Sequence, residues 1–326
     1  MERLFELIQV SMGSREQLSE IPTAKEWETL FQEVSLQGLA GITYIGVKKL
    51  LKQPGWTLPK PLLLVWSGCA VQLKEENERL STRVDRVVRH FREAGYQAVI
   101  LKGQSHLANY PEVFRDLRTP GDIDVWVRGE KRTSVYDLVR KDFPDAEFGY
   151  LHIHFPVYSK TEVEVHIRPA YLCNPFRNRR LQQWADSIDL DSLKDLDNFR
   201  DFNAIFQPLH LFKHLFREGI NIRQLLDYYF LLKQCPNEDK KKLRLLGIDR
   251  FTEDLRSVVY YLFEDLPICS ITGKRLLNEI MIDIANANNN AEGEFDRLKR
   301  VLKIYPGEVL WRPYFWLFQK IWKFCH

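Results

Sequence analysis

Residues 101–127 read LKGQSHLANYPEVFRDLRTPGDIDVWV, and the change from a helical to a strand-like pattern is clearest around this stretch. The stretch begins with the last residue of the apolar run QAVIL (97–101). It ends with DIDVWV (122–127), which follows a Thr-Pro-Gly turn. Short apolar runs bounded by glycine or proline are typical of buried strands. The sequence therefore predicts two strands here, joined by a short helix or loop at 105–114.

Two further β-rich runs follow at 150–158 and 162–167, and Ser-Lys-Thr at 159–161 separates them. This spacing is typical of an antiparallel hairpin. Together with the two earlier runs, the hairpin predicts a small mixed sheet of four or more strands.

Both flanks of this sheet have helical patterns. Before it, residues 61–94 predict a long helix ended by a glycine, and capping-box patterns at 14–17 and 23–26 predict two helix starts. After it, apolar residues recur at helical spacing in 209–216 and 222–230. The predicted fold class is therefore α+β, a small mixed β-sheet flanked by N-terminal and C-terminal helical regions.

The changes in pattern divide the chain into three predicted units. These are an N-terminal helical region at 1–95, an α/β core at 96–175 and a C-terminal helical domain at 176–326. Within the core, 131–141 also predicts a helix. Within the last unit, the run ANANNNAEG makes 286–290 the clearest loop.

The composition narrows the class of function. Forty-seven basic residues stand against 44 acidic ones, a net charge of +3, which argues against a dedicated nucleic-acid binder. The five cysteines have no CxxC spacing, so neither a zinc ribbon nor a disulfide framework is indicated. The first residues carry charges unlike a signal peptide, and no run approaches about 18 apolar residues. We therefore expect a cytoplasmic location.

An acidic pair opens the second strand. Asp122 and Asp124 share one strand face, about 7 Å apart along the strand, although like charges on one face repel. A divalent cation would compensate them, since carboxylate oxygens are preferred ligands of Mg²⁺ and Mn²⁺. Upstream, Lys102 and Gly103 could face phosphates, and Glu164 on a later strand supplies a third carboxylate. The alternative is that both aspartates simply flank a solvated strand start.

The order of these parts resembles the DNA polymerase beta-like nucleotidyltransferase superfamily: strand, Lys-Gly, helix, Arg-x-x-x-Asp-x-Asp on a second strand, then an acid on a later strand. More narrowly, LKG, RTPGDIDVWV, VEVHIRP, HLFKH and IRQLLD, spread over about 99–232, are similar to a bacterial family of uncharacterised nucleotidyltransferases. The chain departs from the wider pattern with Gly103-Gln104-Ser105 in place of Gly-Ser or Gly-Gly. It also has Gly121 where a serine often precedes the first aspartate.

The resemblance implies an enzyme that transfers a nucleoside monophosphate from a nucleoside triphosphate to a hydroxyl of an unidentified acceptor. Asp122, Asp124 and Glu164 would be the catalytic residues and would hold Mg²⁺ or Mn²⁺. The residues implied in nucleotide binding are Lys102, Gly103, Ser105, Arg118, His166, His214 and Asp227.

Several strand residues have alternative roles. Glu162, Glu164 and His166 share a strand face, and Glu164 is preferred as the third carboxylate because Glu162 lies beside the turn. His166 would orient Glu164, contact phosphate or bind metal, or it is a structural histidine. With His152 and His154 on the neighbouring strand, a zinc site is conceivable, but no cysteine joins them and the acids dominate.

The helical residues also have alternatives. Arg118 would contact a phosphate or brace the aspartates. His210 and His214 lie one helical turn apart, without the glutamate that H-E-x-x-H zinc proteases require. The resemblance implies that His214, Arg223 and Asp227 form the far wall of a nucleotide pocket, and the alternative is a buried polar network between two helices.

Two other classes of function compete with nucleotide transfer. Nucleotide-sugar glycosyltransferases also use D-x-D, but there an apolar strand precedes the acids, whereas here Val-Trp-Val (125–127) follows them. A degenerate member would bind nucleotide without chemistry, and three retained carboxylates argue against it. The aromatic C-terminus at 310–326 predicts a closing amphipathic helix, with an interfacial membrane helix or an oligomer interface as alternatives.

Overall fold

The computed structural model describes residues 1–235, 238–286 and 294–325. Within these ranges a four-stranded sheet is flanked by helices on both sides in the chain, which confirms the predicted α+β class. The strands are β1 (Gln97–Ile100), β2 (Ile123–Arg128), β3 (His152–His154) and β4 (Val163–His166).

Helices form most of the molecule. In the described residues the α-helices are α1 (Glu2–Met12), α2 (Ala24–Leu36), α3 (Ala40–Leu50), α4 (Lys60–Glu93), α5 (Glu112–Arg115), α6 (Arg132–Asp142), α7 (Pro175–Asp186), α8 (Leu196–Phe216), α9 (Ile222–Gln234), α10 (Lys240–Leu246), α11 (Asp249–Glu264), α12 (Ile271–Asn286), α13 (Glu294–Leu302), α14 (Pro306–Val309) and α15 (Arg312–Cys325). Short 3-10 helices occur at Gly103–Asn109 and Ser192–Lys194.

The strand order is β1-β2-β4-β3, and the sheet is mixed, as predicted. β1 pairs antiparallel with β2, β2 pairs parallel with β4, and β3 pairs antiparallel with β4, so the predicted hairpin is confirmed. The parallel pair matters most, because it sets Asp124 directly opposite Glu164. The predicted helices at 61–94 and 131–141 correspond to α4 and α6.

The two faces of the sheet differ in polarity. Val125 and Val165 point into a core that includes Phe91 of α4. On the other face, Trp126 stacks on Phe202 of α8, with ring centroids 5.7 Å apart. Because side chains alternate along a strand, the residues between the core valines face the α8 side. This alternation directs the polar residues of β2 and β4 toward α8.

The two predicted capping boxes have different outcomes. Thr23 accepts from the Glu26 N–H and Glu26 accepts from the Thr23 N–H, so that box is confirmed. The box at Ser14 is wrong, because Gly13 ends α1 in the left-handed region (φ 88°) and no helix follows Ser14 directly. The Ser14 hydroxyl donates to the Phe263 carbonyl at 2.6 Å, so it takes part in a tertiary contact.

The largest core of the described residues draws on helices from both ends of the chain. Gln9 of α1, for example, donates to the Leu262 carbonyl of α11 at 3.0 Å. The division at 95 and 176 stays a prediction, and most of the predicted loop at 286–290 lies outside the described ranges. Among the described helices, none is long and apolar enough to span a bilayer.

Candidate active site

The sheet brings two of the predicted acids together. Asp124 and Glu164 stand in register on β2 and β4, and both line one cleft. Asp124 is buried, whereas the Glu164 side chain is 16% exposed. The His166 Nε2 atom lies 2.8 Å from Asp124 Oδ1 and 3.1 Å from Glu164 Oε2. Ligand atoms of these three residues all lie within 4.8 Å of one another.

Asp122 lies just before β2, is exposed, and lines the same cleft. The structure therefore brings all three predicted carboxylates to one cavity, although the compact group contains His166 rather than Asp122. The Glu162 side chain is 55% exposed, compared with 16% for Glu164, in keeping with the preference for Glu164.

Lys102 and Gly103 follow β1 and border the acids. The Lys102 Nζ atom lies 2.9 Å from Asp124 Oδ1. Gly103 has φ of 68°, and an added Cβ would meet the Asp122 carbonyl oxygen at 3.4 Å. Glycine suits both the backbone conformation and the close approach. The two loops that carry the predicted residues are therefore in contact.

The protonation states in this group depend on one another. Burial opposes ionisation of Asp124, but the Lys102 ammonium and the hydrogen bond from His166 hold the pKa of that carboxyl well below its usual value. Burial also disfavours charged His166, but its hydrogen bonds to Asp124 and Glu164 raise the pKa of the imidazole. For Glu164, burial is outweighed by the His166 hydrogen bond, which lowers the pKa. These contacts favour the ionised carboxylates of Asp124 and Glu164, and they favour the charged form of His166 over that of a free imidazole.

Helices α8 and α9 form the opposite wall of the cleft, which encloses about 360 Å³. This wall is basic, with Lys213, Arg217 and Arg223 lining it. Burial, and secondarily the nearby Lys102 charge, lower the pKa of Lys213. The wall therefore holds cationic groups in a setting that favours an anionic ligand.

Two histidines of α8 line the same wall. His210 and His214 touch through their Nε2 atoms at 3.0 Å, and the His214 Nδ1 atom lies 3.0 Å from a Glu218 carboxylate oxygen. Burial and the neighbouring His214 keep the pKa of His210 well below its usual value. His210 is accordingly neutral at physiological pH.

Arg118 and Asp227 pair with one another in the wall of the cleft. The Arg118 guanidinium donates twice to the carboxylate, at 2.7 and 2.8 Å, and the Tyr110 hydroxyl donates to it at 2.6 Å. Arg223 donates to the Pro120 carbonyl at 3.1 Å, just before the first aspartate. These contacts join α9 to the loop that precedes Asp122. Nucleotide binding by Arg118 and Asp227 stays a prediction.

Ser105 differs from the other predicted residues. It lies on the 3-10 helix after Gly103, and it does not line the cleft. Its buried hydroxyl has no hydrogen-bond partner among the described residues. Lys213 and Arg217, by contrast, line the cleft without having been predicted. Their spacing from His210, at i+3 and i+7, is the sequence signal that places them on one helix face.

A second cavity of about 670 Å³ adjoins the cleft. Five residues line both cavities: His214, Glu218, Asn221, Arg223 and Gln224. Beyond them the second cavity reaches Gln37 on one side and Asp283 and Arg297 of α12 and α13 on the other. The two cavities therefore share a polar wall.

The fold and the cleft define an α+β protein whose small sheet presents carboxylates beneath a basic helical wall. Such a site has donors for a divalent cation and for phosphate oxygens. A protein-family model described as an uncharacterised nucleotidyltransferase matches residues 23–264. The chain belongs to this family, which confirms the narrower resemblance at the level of nucleotidyltransferase. No curated protein and no solved structure matches the chain.

Proposed function

We propose that the chain transfers a nucleoside monophosphate from a nucleoside triphosphate to a hydroxyl of an acceptor, in an active site of the DNA polymerase beta-like kind. One observation carries this proposal: Asp124 and Glu164, from separate strands, stand in register beside Lys102 in a cleft with a basic opposite wall. Membership of the nucleotidyltransferase family supports the class of reaction.

The donor set fits Mg²⁺ or Mn²⁺. Asp124 and Glu164 offer carboxylate oxygens within one compact group, and Asp122 adds a third carboxylate to the cleft. Oxygen ligands of this kind are preferred by both ions. When bound, the cation would neutralise phosphate charge and stabilise the attacking and leaving oxygens. His166 holds both carboxylates in place through its hydrogen bonds.

The basic residues would bind the triphosphate. Lys213, Arg217 and Arg223 line the wall that faces the acids, and Lys102 lies on the sheet side. Burial disfavours the charged form of Lys213, so an anion in the cleft would supply the partner that its ammonium needs. The backbone of Gly103 lies at the start of a 3-10 helix. It would contact phosphate in addition to the basic side chains of the helical wall and to Lys102.

The second cavity is the proposed place of the acceptor. It adjoins the cleft through shared residues, so a hydroxyl there would have access to the nucleotide. Its lining combines amides, such as Gln37 and Gln224, with charged side chains, such as Asp283 and Arg297. A polar acceptor fits such a lining better than an apolar one.

Substitution of the acids tests the proposed function. We expect Asp122→Asn and Asp124→Asn to lose Mg²⁺- or Mn²⁺-dependent binding of a non-hydrolysable triphosphate, measured by isothermal titration, because the cation ligand is lost. Both variants should also lose transfer of an α-phosphate label to acceptors in a cell extract. Asp116→Asn is the matched control, since Asp116 is exposed in the same loop.

Wild-type binding and transfer in Asp124→Asn, with cooperative thermal unfolding, would contradict the proposal. Binding of triphosphate by the wild-type chain without transfer to any acceptor would favour a non-catalytic member. Binding of nucleotide sugars in preference to triphosphates would favour a glycosyltransferase.

A further inference from the structure

The edge strand β3 carries two histidines on the face of the sheet that bears the acids. His154 pairs in register with Glu164, and His152 pairs with His166. The rings of His152 and His154 are 5.2 Å apart and nearly perpendicular, at 84°. Ligand atoms of His152, His154 and Glu164 lie within 4.8 Å of one another. This histidine cluster is next to the group of Asp124, Glu164 and His166 and shares Glu164 with it.

Two features of these histidines suit them to bind a cation. The His154 Nδ1 atom lies 3.1 Å from a Glu162 carboxylate oxygen, a contact that orients an imidazole in the way carboxylates orient metal-binding histidines. The Nδ1 atom of His152 is buried and has no hydrogen-bond partner among the described residues. This ring nitrogen is therefore available to a ligand.

The ligand types decide which cation fits. Mg²⁺ and Ca²⁺ take oxygen ligands, whereas imidazole suits Zn²⁺, Fe²⁺, Co²⁺ and related ions. Two imidazoles and one carboxylate make a three-ligand set that leaves coordination positions open. We propose that His152, His154 and Glu164 form a second metal site, selective for a transition-metal ion.

Glu164 joins this second site to the proposed active site. Its Oε1 atom lies 3.4 Å from His152 Nε2, and its Oε2 atom lies 3.1 Å from His166 Nε2. One carboxylate thus serves both groups, each through a different oxygen. A metal ion at the histidine cluster would hold Glu164 in its place beside Asp124. The site itself does not depend on nucleotide transfer.

The test uses Co²⁺ alone, titrated into the metal-free full-length chain without nucleotide, with its visible absorption as the readout. We expect His152→Gln and His154→Gln each to weaken Co²⁺ binding at this site by more than about 100-fold, since even outer contacts to a ligand are worth about 10–100-fold. Glu162→Gln should weaken it by about 10-fold. His90→Gln is the control, because His90 has the same 42% exposed side chain as His154 and also contacts a carboxylate, that of Asp142.

Asp124→Asn separates this site from the active site, and it should retain the histidine-dependent absorption even if it abolishes transfer. An excess of Mg²⁺ should leave Co²⁺ bound to the wild-type chain, whereas Zn²⁺ should displace it, a measurement that requires no variant. The proposal is overturned if both histidine variants, folded by circular dichroism, keep wild-type affinity and absorption. It is equally overturned if Mg²⁺ displaces Co²⁺ or if Asp124→Asn loses the absorption as completely as His154→Gln.

Discussion

Among single residues, His106 has an environment that makes the stability of the folded chain depend on pH. The ring is buried beside the cleft, with its Nε2 atom 3.4 Å from the Gln207 amide nitrogen. Burial lowers the pKa of His106 to about 4, and the Arg118 and Lys102 charges act in the same direction against the Asp227 carboxylate. The folded protein therefore keeps this imidazole neutral where an unfolded chain would protonate it.

Because the pKa of His106 is low in the folded chain, we expect the free energy of unfolding to fall as the pH is lowered. The ordinary pKa of 6.5 applies to the unfolded chain, so between pH 6.5 and about 4 the unfolded state binds the proton and the folded state does not. The free energy of unfolding should fall by about 3 kcal/mol across that window. His106→Gln should remove this part of the slope in urea unfolding at several pH values. His90→Gln should leave it, and an unchanged slope in His106→Gln would contradict the assignment.

The site residues show what local sequence can and cannot predict. Strand alternation predicted the shared face of Asp124 and Glu164 in the sheet, whereas Asp122, predicted on the same strand as Asp124, lies just before β2 and outside the compact group. Lys213 and Arg217 share a helical face with His210, yet nothing local says which face of α8 turns toward the sheet. That is decided by packing such as the stacking of Phe202 on Trp126. Residues fixed by local periodicity were predictable, and those fixed by helix docking were not.

At the scale of elements, the loop that leads into the acids is held by helices distant in sequence. Asn77 of α4 donates to the Arg118 carbonyl at 2.8 Å, and Arg223 of α9 donates to the Pro120 carbonyl at 3.1 Å. The Thr119 hydroxyl donates to the carbonyl before α3, that of Gly38, at 2.7 Å. The position of the first aspartate therefore depends on three separate contacts, two with helices and one with the turn between α2 and α3.

Helix α3 approaches this loop through Gly41, and Gly41→Ala should be destabilising. An added Cβ would lie 2.3 Å from the Leu117 carbonyl oxygen, so backbone must move. We expect a loss of about 1–3 kcal/mol in urea unfolding, as for other overpacked sites, together with weaker nucleotide binding because the shifted loop carries Asp122. Gly68→Ala is the matched control on α4, where a Cβ meets nothing within 4 Å. Gly68→Ala should raise the free energy of unfolding by up to about 1 kcal/mol. Equal effects of the two substitutions would contradict the close approach of Gly41 to the loop.

The two capping-box patterns show the limit of prediction for an element. Thr23 and Ser14 begin similar four-residue patterns, but only Thr23 caps a helix in the described residues. Ser14 follows the left-handed Gly13 and bonds to Phe263, about 250 positions along the chain. The same four-residue pattern thus precedes a helix at Thr23 and a segment without helix at Ser14, so the pattern alone does not predict a helix start.

At the scale of the whole molecule, the family match ends at residue 264, and helices α12 to α15 lie beyond it. These helices nevertheless take part in the candidate site. Asp283 of α12 accepts from the Ile220 N–H at 3.1 Å, in the connection between α8 and α9. Asp283 also lines the second cavity together with Arg297 of α13. The part of the chain outside the match thus shapes the cavity proposed for the acceptor.

Arg297 holds helices α12 and α13 to the connection between α8 and α9. Arg297→Ala should therefore be strongly destabilising. Its guanidinium bonds to the Asp283 carboxylate at 3.2 Å and also donates to the carbonyl of Arg217, whose side chain lines the nucleotide cleft. Both charged side chains of the pair are less than a tenth exposed, so removal of Arg297 leaves the buried Asp283 carboxylate with only the Ile220 N–H and the more distant Arg300, at 3.9 Å. Breaking such a pair costs about 3–5 kcal/mol, and the loss should appear in urea unfolding of the full chain. Arg275→Ala, an exposed change on α12, should stay within about 0.5 kcal/mol of wild type. If the two variants unfold alike, the C-terminal helices are not held to the connection between α8 and α9 through the Asp283–Arg297 pair.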